Sequence, residues 1–411
     1  MCNPTIVVLA HNRQNSLNNL LYSLSKAEYV GDEVNLVISI DYSGQQEVYD
    51  LAVKFDWKNG KKTIIKHEHN LGLREHVLYC GDLSLQYQSV IILEDDLLVS
   101  PSFYLFAKAA LEVYKNGSNI AGISLYHHEH NESTELPFEV IDDGYHAYFM
   151  KVPSSWGQLW TATHWEGFRF WYDKGQQVLD VDFLPDNVIA WPETSWKKYF
   201  CKYLTDSDTY FVYPKKSFTT NSGAIGKHHS EVTCLHHSSL SIQKDNFKFP
   251  KIEDTINVYD QFFEILPESI NGIDNIDLKD IEVDVFGTKP THKIKTKYIL
   301  SSKVCKMPIR AYKVTCYPVN LNVLKGLKLI DNTQAELHLG LTQSFENSIN
   351  LNFIDLFVSR TDKKIKESIE NEYLKQLIKT DIYRVGHRII SILNTLPFNL
   401  GSTLLKKLNS K

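Results

Sequence analysis

Three consecutive carboxylates at the end of an apolar run are the first feature that could do chemistry. Val90 to Leu93 (VIIL) lead directly into Glu94, Asp95 and Asp96, within VIILEDDLLVSPSF. Adjacent carboxylates at the end of a buried strand repel one another and lose hydration, so they persist where a divalent cation or another positive group compensates them. A hard cation, Mg²⁺ or Mn²⁺, takes one or two carboxylates and fills its shell with water and substrate phosphate oxygens, which suits a nucleotide-diphosphate ligand. Without such a ligand the same run is a solvated acidic turn or a helix cap.

The elements around this run follow from hydrophobic spacing. Residues 4–10 (PTIVVLA) are a short β-branched run, and Leu17, Leu20, Leu21 and Leu24 then recur at helical spacing. Val34 to Ile40 predicts a second buried strand ending at Asp41, Thr63 to Ile65 a third, and a helix from Leu73 leads to the VIIL strand. Strands alternating with helices predict an α/β fold, a mostly parallel sheet covered on both faces. Ligands of open α/β sheets sit beyond the carboxyl ends of the strands. That rule singles out His11, Asn12, Arg13, Asp41, Glu94, Asp95 and Asp96.

Further along, residues 145–172 are dense in aromatics, and Trp160, Trp165 and Trp171 are expected on or near one helix. The pattern weakens past 229, and prolines 250, 267 and 290 punctuate an aperiodic stretch, which places a domain boundary near residue 245. The expected division is a catalytic domain over 1–245, an accessory region over 246–361 and a helical tail over 362–411. In the tail Val385, Ile389, Ile392, Leu393 and Leu396 share a face, while Arg384, Arg388, Lys406 and Lys407 add positive charge. This composition suits a helix lying on an anionic membrane and equally a helix docked on its own domain.

Composition bounds the function. The 411 residues suit about two to three domains, and 43% apolar with 23% charged residues disfavours disordered, collagen-like and coiled-coil classes. Lys and Arg number 44 against 49 Asp and Glu, a net charge of -5, without the basic excess of a nucleic-acid partner. Six cysteines without a CxxC pair predict ordinary reduced thiols. The N-terminus lacks signal-peptide features, and no stretch has the roughly 18 uncharged apolar residues of a spanning helix, which predicts the cytoplasm or the inner membrane face.

The pattern strand-EDD-apolar-x-x-S-P-x-F resembles the metal and nucleotide-sugar motif of GT-A glycosyltransferases. Over residues 4 to about 230 the chain is similar to the branch containing N-acetylglucosaminyltransferase I and bacterial capsule and exopolysaccharide transferases. The resemblance implies a Rossmann-like GT-A domain, with a smaller C-terminal region ending in amphipathic helices. It implies that AHNR at 10–13 contacts the nucleotide, that Asp41 in ISIDYSG reads the base, and that Arg74 in HNLGLREH lies near the diphosphate. Asp96 would touch Mn²⁺ or Mg²⁺, with Glu94 and Asp95 holding ribose or waters. SSWGQLW at 154–160 is similar to the acceptor-side loop, and YPKKSFTTNSGAIGKHH at 213–229 to the closing segment, whose His228 or His229 would complete the metal shell. Trp156 and Trp160 are candidates to stack on the acceptor sugar, since an aromatic face matches the apolar side of a pyranose.

One position departs from the pattern. Inverting members place an Asp base directly after a Trp that stands eighteen positions before the closing segment's Pro. Counting back from Pro214 gives Trp196, and Lys197 follows it. A protonated Lys cannot take the acceptor proton, though it can bind an anionic acceptor or steady the leaving diphosphate. Glu193 is the nearest carboxylate that could serve, with Asp186 a weaker choice. The expectation is therefore a metal-dependent, inverting hexosyl- or N-acetylhexosaminyltransferase. It would move a sugar from a nucleotide-diphosphate donor, UDP by family resemblance, to a hydroxyl of a surface glycan such as capsule, O-antigen or exopolysaccharide, free or lipid-linked. A nucleotidyltransferase would want a Gly-rich phosphate loop, which AHNRQNS lacks. A non-catalytic glycan-binding scaffold is the reading from another class.

Overall fold

The computed structural model describes residues 3–223, 236–270, 273, 276–324 and 335–358. The chain falls into two compact units, Met1–Ser133 with Pro137–Asn350, and Thr134–Leu136 with the chain from Leu351 on.

The first unit opens with alternating strands and helices: β1 (Thr5–Ala10), α1 (Gln14–Lys26), β2 (Leu36–Ile40), α2 (Glu47–Lys54), β3 (Lys62–Lys66), α3 (Gly72–Tyr87) and β4 (Ser89–Glu94). Every residue of β1 is buried, as expected of a central strand covered on both faces. On α1 the buried residues are Leu17, Leu20, Leu21 and Leu24, the stripe legible in the sequence. Then come β5 (Leu97–Val99), α4 (Phe103–Tyr114), β6 (Ile120–Ser124), β7 (Ala147–Met150), β8 (Gln158–Thr161), α5 (Ala162–Tyr172), α6 (Asp186–Ala190), α7 (Trp196–Ser207), β9 (Tyr210–Pro214), β10 (Thr219–Asn221) and β11 (Val258–Tyr259).

Nine strands form one sheet in the order β11-β7-β9-β6-β8-β4-β1-β2-β3. Neighbours are parallel except at β8, which runs antiparallel to both β4 and β6, and at β7 against β9. The expected α/β class, a mostly parallel sheet flanked by helices, is what forms. Strand order advances outward from β1 to β2 and β3, then returns to place β4 on the other side of β1. The chain segments leaving β1 and β4 therefore diverge, and the gap between them is where open α/β sheets take ligands.

Residue 245 lies inside the first unit, and the sheet continues past it. Phe247 and Phe249 pack on Phe106 of α4, and β11 adds a strand beside β7. Trp165 and Trp171 share α5, but Trp160 belongs to β8 before it. All three flank an aromatic layer in which Trp160 meets Trp165 at 4.6 Å and Phe168 stacks on Phe200 at 4.3 Å. Gly81 on α3 makes room for it, since a Cβ there would lie 2.1 Å from the Trp165 ring.

The rest of the unit carries β12 (Ile281–Asp284), β13 (Tyr298–Ser301), β14 (Lys303–Cys305), β15 (Pro308–Tyr312), α8 (Leu321–Leu324), β16 (Leu337–Leu341) and β17 (Phe345–Ile349). Four of these form a sheet in the order β12-β13-β16-β15. Lys289, 1% exposed, ties this region to the main sheet by ion pairs with Glu282 and, at 2.5 Å, with Asp260. In the second unit the described element is α9 (Leu351–Val358). The basic amphipathic tail lies outside the described residues. Among the described residues no helix is long and apolar enough to cross a membrane.

Candidate functional site

The segments leaving β1 and β4 meet through charge. Arg13, the last residue before α1, donates from one guanidinium nitrogen to Asp96 Oδ2 at 2.8 Å and from the other to Asp95 Oδ1. The backbone N–H of His11 reaches Asp95 Oδ2 at 3.4 Å. Arg13 is thus the positive group that the adjacent carboxylates require. Burial still dominates: it pushes Asp95 up to about 6 even against Arg13. Glu94 is pushed up to about 8, by burial first and then by Asp96, while Arg13 and Lys197 pull it down. Asp96 Oδ1 is buried and has no hydrogen-bond partner.

His11 and Asn12 occupy the same loop, and His11 Nε2 lies 3.1 Å from the Asn70 amide, which also donates to the Tyr42 carbonyl at 2.9 Å. Asp41 stands at the end of β2. Its oxygens accept the N–H groups of Tyr42 at 2.9 Å, Leu71 at 2.8 Å and Gly72 at 3.1 Å, which caps α3 from a neighbouring strand. A cleft of about 130 Å³ opens beside it, bordered by Tyr42, Tyr49, Lys66 and His67.

Arg74 and Glu193 form a separate group. The Arg74 guanidinium donates to Glu75 Oε1 at 3.1 Å and to the Glu193 carbonyl, and it lies 5.9 Å from the Tyr199 ring. The Glu193 carboxylate accepts from Lys198 Nζ at 2.7 Å and from the Tyr199 hydroxyl, and hydrogen bonds from these two hold it below the usual carboxylate range. Its side chain is 67% exposed and borders a wide cleft of about 540 Å³ with Tyr172 and Tyr199. Its contacts are with α7 and Arg74, not with the acidic run.

Lys197 points elsewhere. Its ammonium donates to both oxygens of Glu132, at 2.6 and 2.8 Å, and lies 5.4 Å from the rings of both Trp156 and Trp191. His128 Nδ1 stands 3.7 Å from Glu132. Burial pushes His128 down to about 3, so it is neutral at physiological pH. Burial pushes the Glu132 carboxyl up, but the Lys197 ammonium outweighs it and holds it below the usual range. Glu132 escaped the sequence reading because the strand before it, IAGIS, was not recognised. Had it been, the rule that picked Asp41 and Glu94 would have picked the HHEHNE run after it.

Trp156 is half-buried, with Tyr126 at 4.7 Å and His236 stacked at 4.6 Å. Trp160 corrects the expectation of an acceptor platform: at 0% exposed it is core, packed on Trp165 and Phe200, and no sugar can reach it. His228 and His229 lie outside the described residues. Among those described, no three His, Cys, Asp or Glu side chains group as a metal site.

No family model matches the chain, and no curated protein matches it. Among solved structures it is similar to Staphylococcus aureus TarS. Against residues 1–349 of TarS the identity is 12% and the TM-score 0.33, over 52% of this chain and 59% of that one. Against the same fragment with UDP-GlcNAc the values are 15% and 0.35, over 55% and 60%. The chain spans about 60% of that TarS fragment and 36% of the longer TarS chain, at a TM-score of 0.32 and 12% identity over 53% of this chain.

Proposed function

We propose that the chain is a glycosyltransferase that binds a nucleotide-diphosphate sugar across the carboxyl edge of β1, β2 and β4. The observation that carries this reading is the Glu94-Asp95-Asp96 run at the β1/β4 divergence, clamped by Arg13 and leaving Asp96 Oδ1 without a partner. An orphaned carboxylate oxygen in a strand-end crevice fits a hard cation that takes most of its ligands from water and phosphate. Asp96, with Asp95 behind it, would hold Mn²⁺ or Mg²⁺, and His228 or His229 are candidates to join them. When bound, the cation supplies charge neutralisation for a departing diphosphate.

The chain's own residues do the rest. Arg13 fixes the orientation of both aspartates, and the His11–Asn70–Tyr42 bridge joins the loops after β1 and β2 into one wall. The cleft beside Asp41 receives the nucleobase, and its distance from the acidic run along the edge is taken up by ribose and phosphates. Catalysis then rests on holding the anomeric carbon in place and shielding the departing charge. We further assign a UDP donor, a surface-glycan acceptor and an inverted product as the specific form of this reaction.

The test is calorimetric titration of UDP and GDP into the protein with Mn²⁺, with EDTA, and with Asp96→Ala. Binding that needs Mn²⁺ and falls at least tenfold in the variant is expected. A folded wild-type protein that binds neither nucleotide overturns the reading.

A further inference from the structure

We infer that Glu132, positioned by Lys197, is the base that takes the proton of the attacking hydroxyl. This rests on the glycosyl-transfer reading above and names a residue of that same site.

Placement comes first. Strands β4 and β6 are parallel, with β8 antiparallel between them, and Gln158 pairs with both Ile92 and Ser124. The residues just before Gln158 therefore stand between the chain leaving β4 and the chain leaving β6. Gly157 does so visibly: its carbonyl accepts the Leu125 N–H at 2.9 Å, and a Cβ on it would meet Leu93 at 3.4 Å. Trp156 thus separates Glu94 on one side from the 126–132 loop on the other, with the Lys197 ammonium over its ring. Glu132 faces the same carboxyl edge as the acidic run, two strands further along, beyond β8.

Chemistry comes second. A base for a sugar hydroxyl has to be ionised before attack, fixed in orientation and reachable. Glu132 is ionised at neutral pH because its two oxygens share one ammonium, and it is 17% exposed, so a hydroxyl can reach it. The titratable groups facing it include Lys197, His128, His236, Tyr126, Tyr213 and Cys201. Lys197 donates to both Glu132 oxygens and so serves as the donor of the pair, not its acceptor. Glu193, the alternative, is itself exposed and spends its carboxylate on Lys198 and Tyr199.

In the step itself the acceptor oxygen bonds to the anomeric carbon, and its proton passes to a Glu132 oxygen. The bond from that carbon to the diphosphate breaks, and its electron pair leaves with the nucleoside diphosphate. Once Glu132 is neutral, Lys197 carries an unpaired positive charge at the edge where negative charge is leaving.

The experiment uses the full chain with Mn²⁺, and UDP-glucose, UDP-N-acetylglucosamine and GDP-mannose as probes, with water as the attacking hydroxyl. Donor binding is read by calorimetry and nucleotide release by a coupled assay, for the wild type, Glu132→Gln and Glu132→Asp. Glu132→Gln keeps a carbonyl for Lys197, so donor affinity within twofold and nucleotide release at least 100-fold slower are expected. Glu132→Asp is expected between the two, and it carries the comparison alone if Glu132→Gln melts below the assay temperature. Release within threefold of wild type in the variants, lost donor binding in a folded variant, or a wild type that binds but never releases nucleotide faster than buffer overturns the assignment. A wild type that binds none of the probes overturns the transferase reading itself.

Discussion

At the scale of single residues, Arg13 decides how the acidic run survives burial. Three carboxylates in sequence at a strand end would unfold that edge unless something positive faced them, and a guanidinium suits two carboxylates at once because its planar fork offers parallel donors. Replacing it by Gln leaves Asp95 and Asp96 uncompensated. The expected cost in EDTA is about 2 kcal/mol, below the 3–5 of a fully buried pair because Arg13 is partly exposed. Millimolar Mn²⁺ is expected to restore more stability to Arg13→Gln than it adds to the wild type, since cation and guanidinium serve the same oxygens. Equal Mn²⁺ shifts in thermal melts of the two proteins would show that no cation reaches Asp96.

At the scale of elements, α3 and α5 show what close packing demands. Gly81 allows the Trp165 indole against the α3 backbone, where its Nε1 also donates to Asp82 Oδ1 at 2.7 Å. Gly81→Ala puts a methyl group into that ring, and overpacking of this kind costs about 1–3 kcal/mol. The measurement is the urea midpoint, which should fall with an unchanged slope; an unmoved midpoint would mean that the indole has room to retreat. The same elements show where sequence was legible. The β1, β2, β3 and β4 strands and α1 were readable because each is a short apolar run or stripe with one environment. Trp160 was not, because period two on β8 and period 3.6 on α5 meet at residue 161, and an aromatic at such a junction looks alike as core or as platform. Glu132 is reachable from sequence only as part of the run after β6, and its pairing with Lys197, 65 residues away, is recorded by no local pattern.

At the scale of the whole molecule, buried histidines weigh against stability in acid. Burial pushes His76, His127 and His164 down to about 4 and His128 to about 3. Between those values and the ordinary 6.5 the unfolded chain binds protons that the folded one refuses. Each histidine is therefore expected to remove up to roughly 1.4 kcal/mol of stability per pH unit as pH drops from 6.5 toward 4, while Glu94 and Asp95, whose carboxyls burial pushes up to about 8 and about 6, contribute in the opposite direction. Denaturant midpoints at pH 7.5 and 5.5 measure this, and His164→Phe should flatten the slope. A difference between pH 7.5 and 5.5 that His164→Phe leaves unchanged would contradict the burial of that ring.

The cap that Asp41 places on α3 has a mechanical consequence. The same side chain borders the small cleft at the end of β2 and anchors the first turn of a sixteen-residue helix. That wall cannot swing outward unless the helix start unravels with it. The shape of the cleft at Asp41 and the integrity of the first turn of α3 are therefore one property, and a change that loosens either is felt by the other.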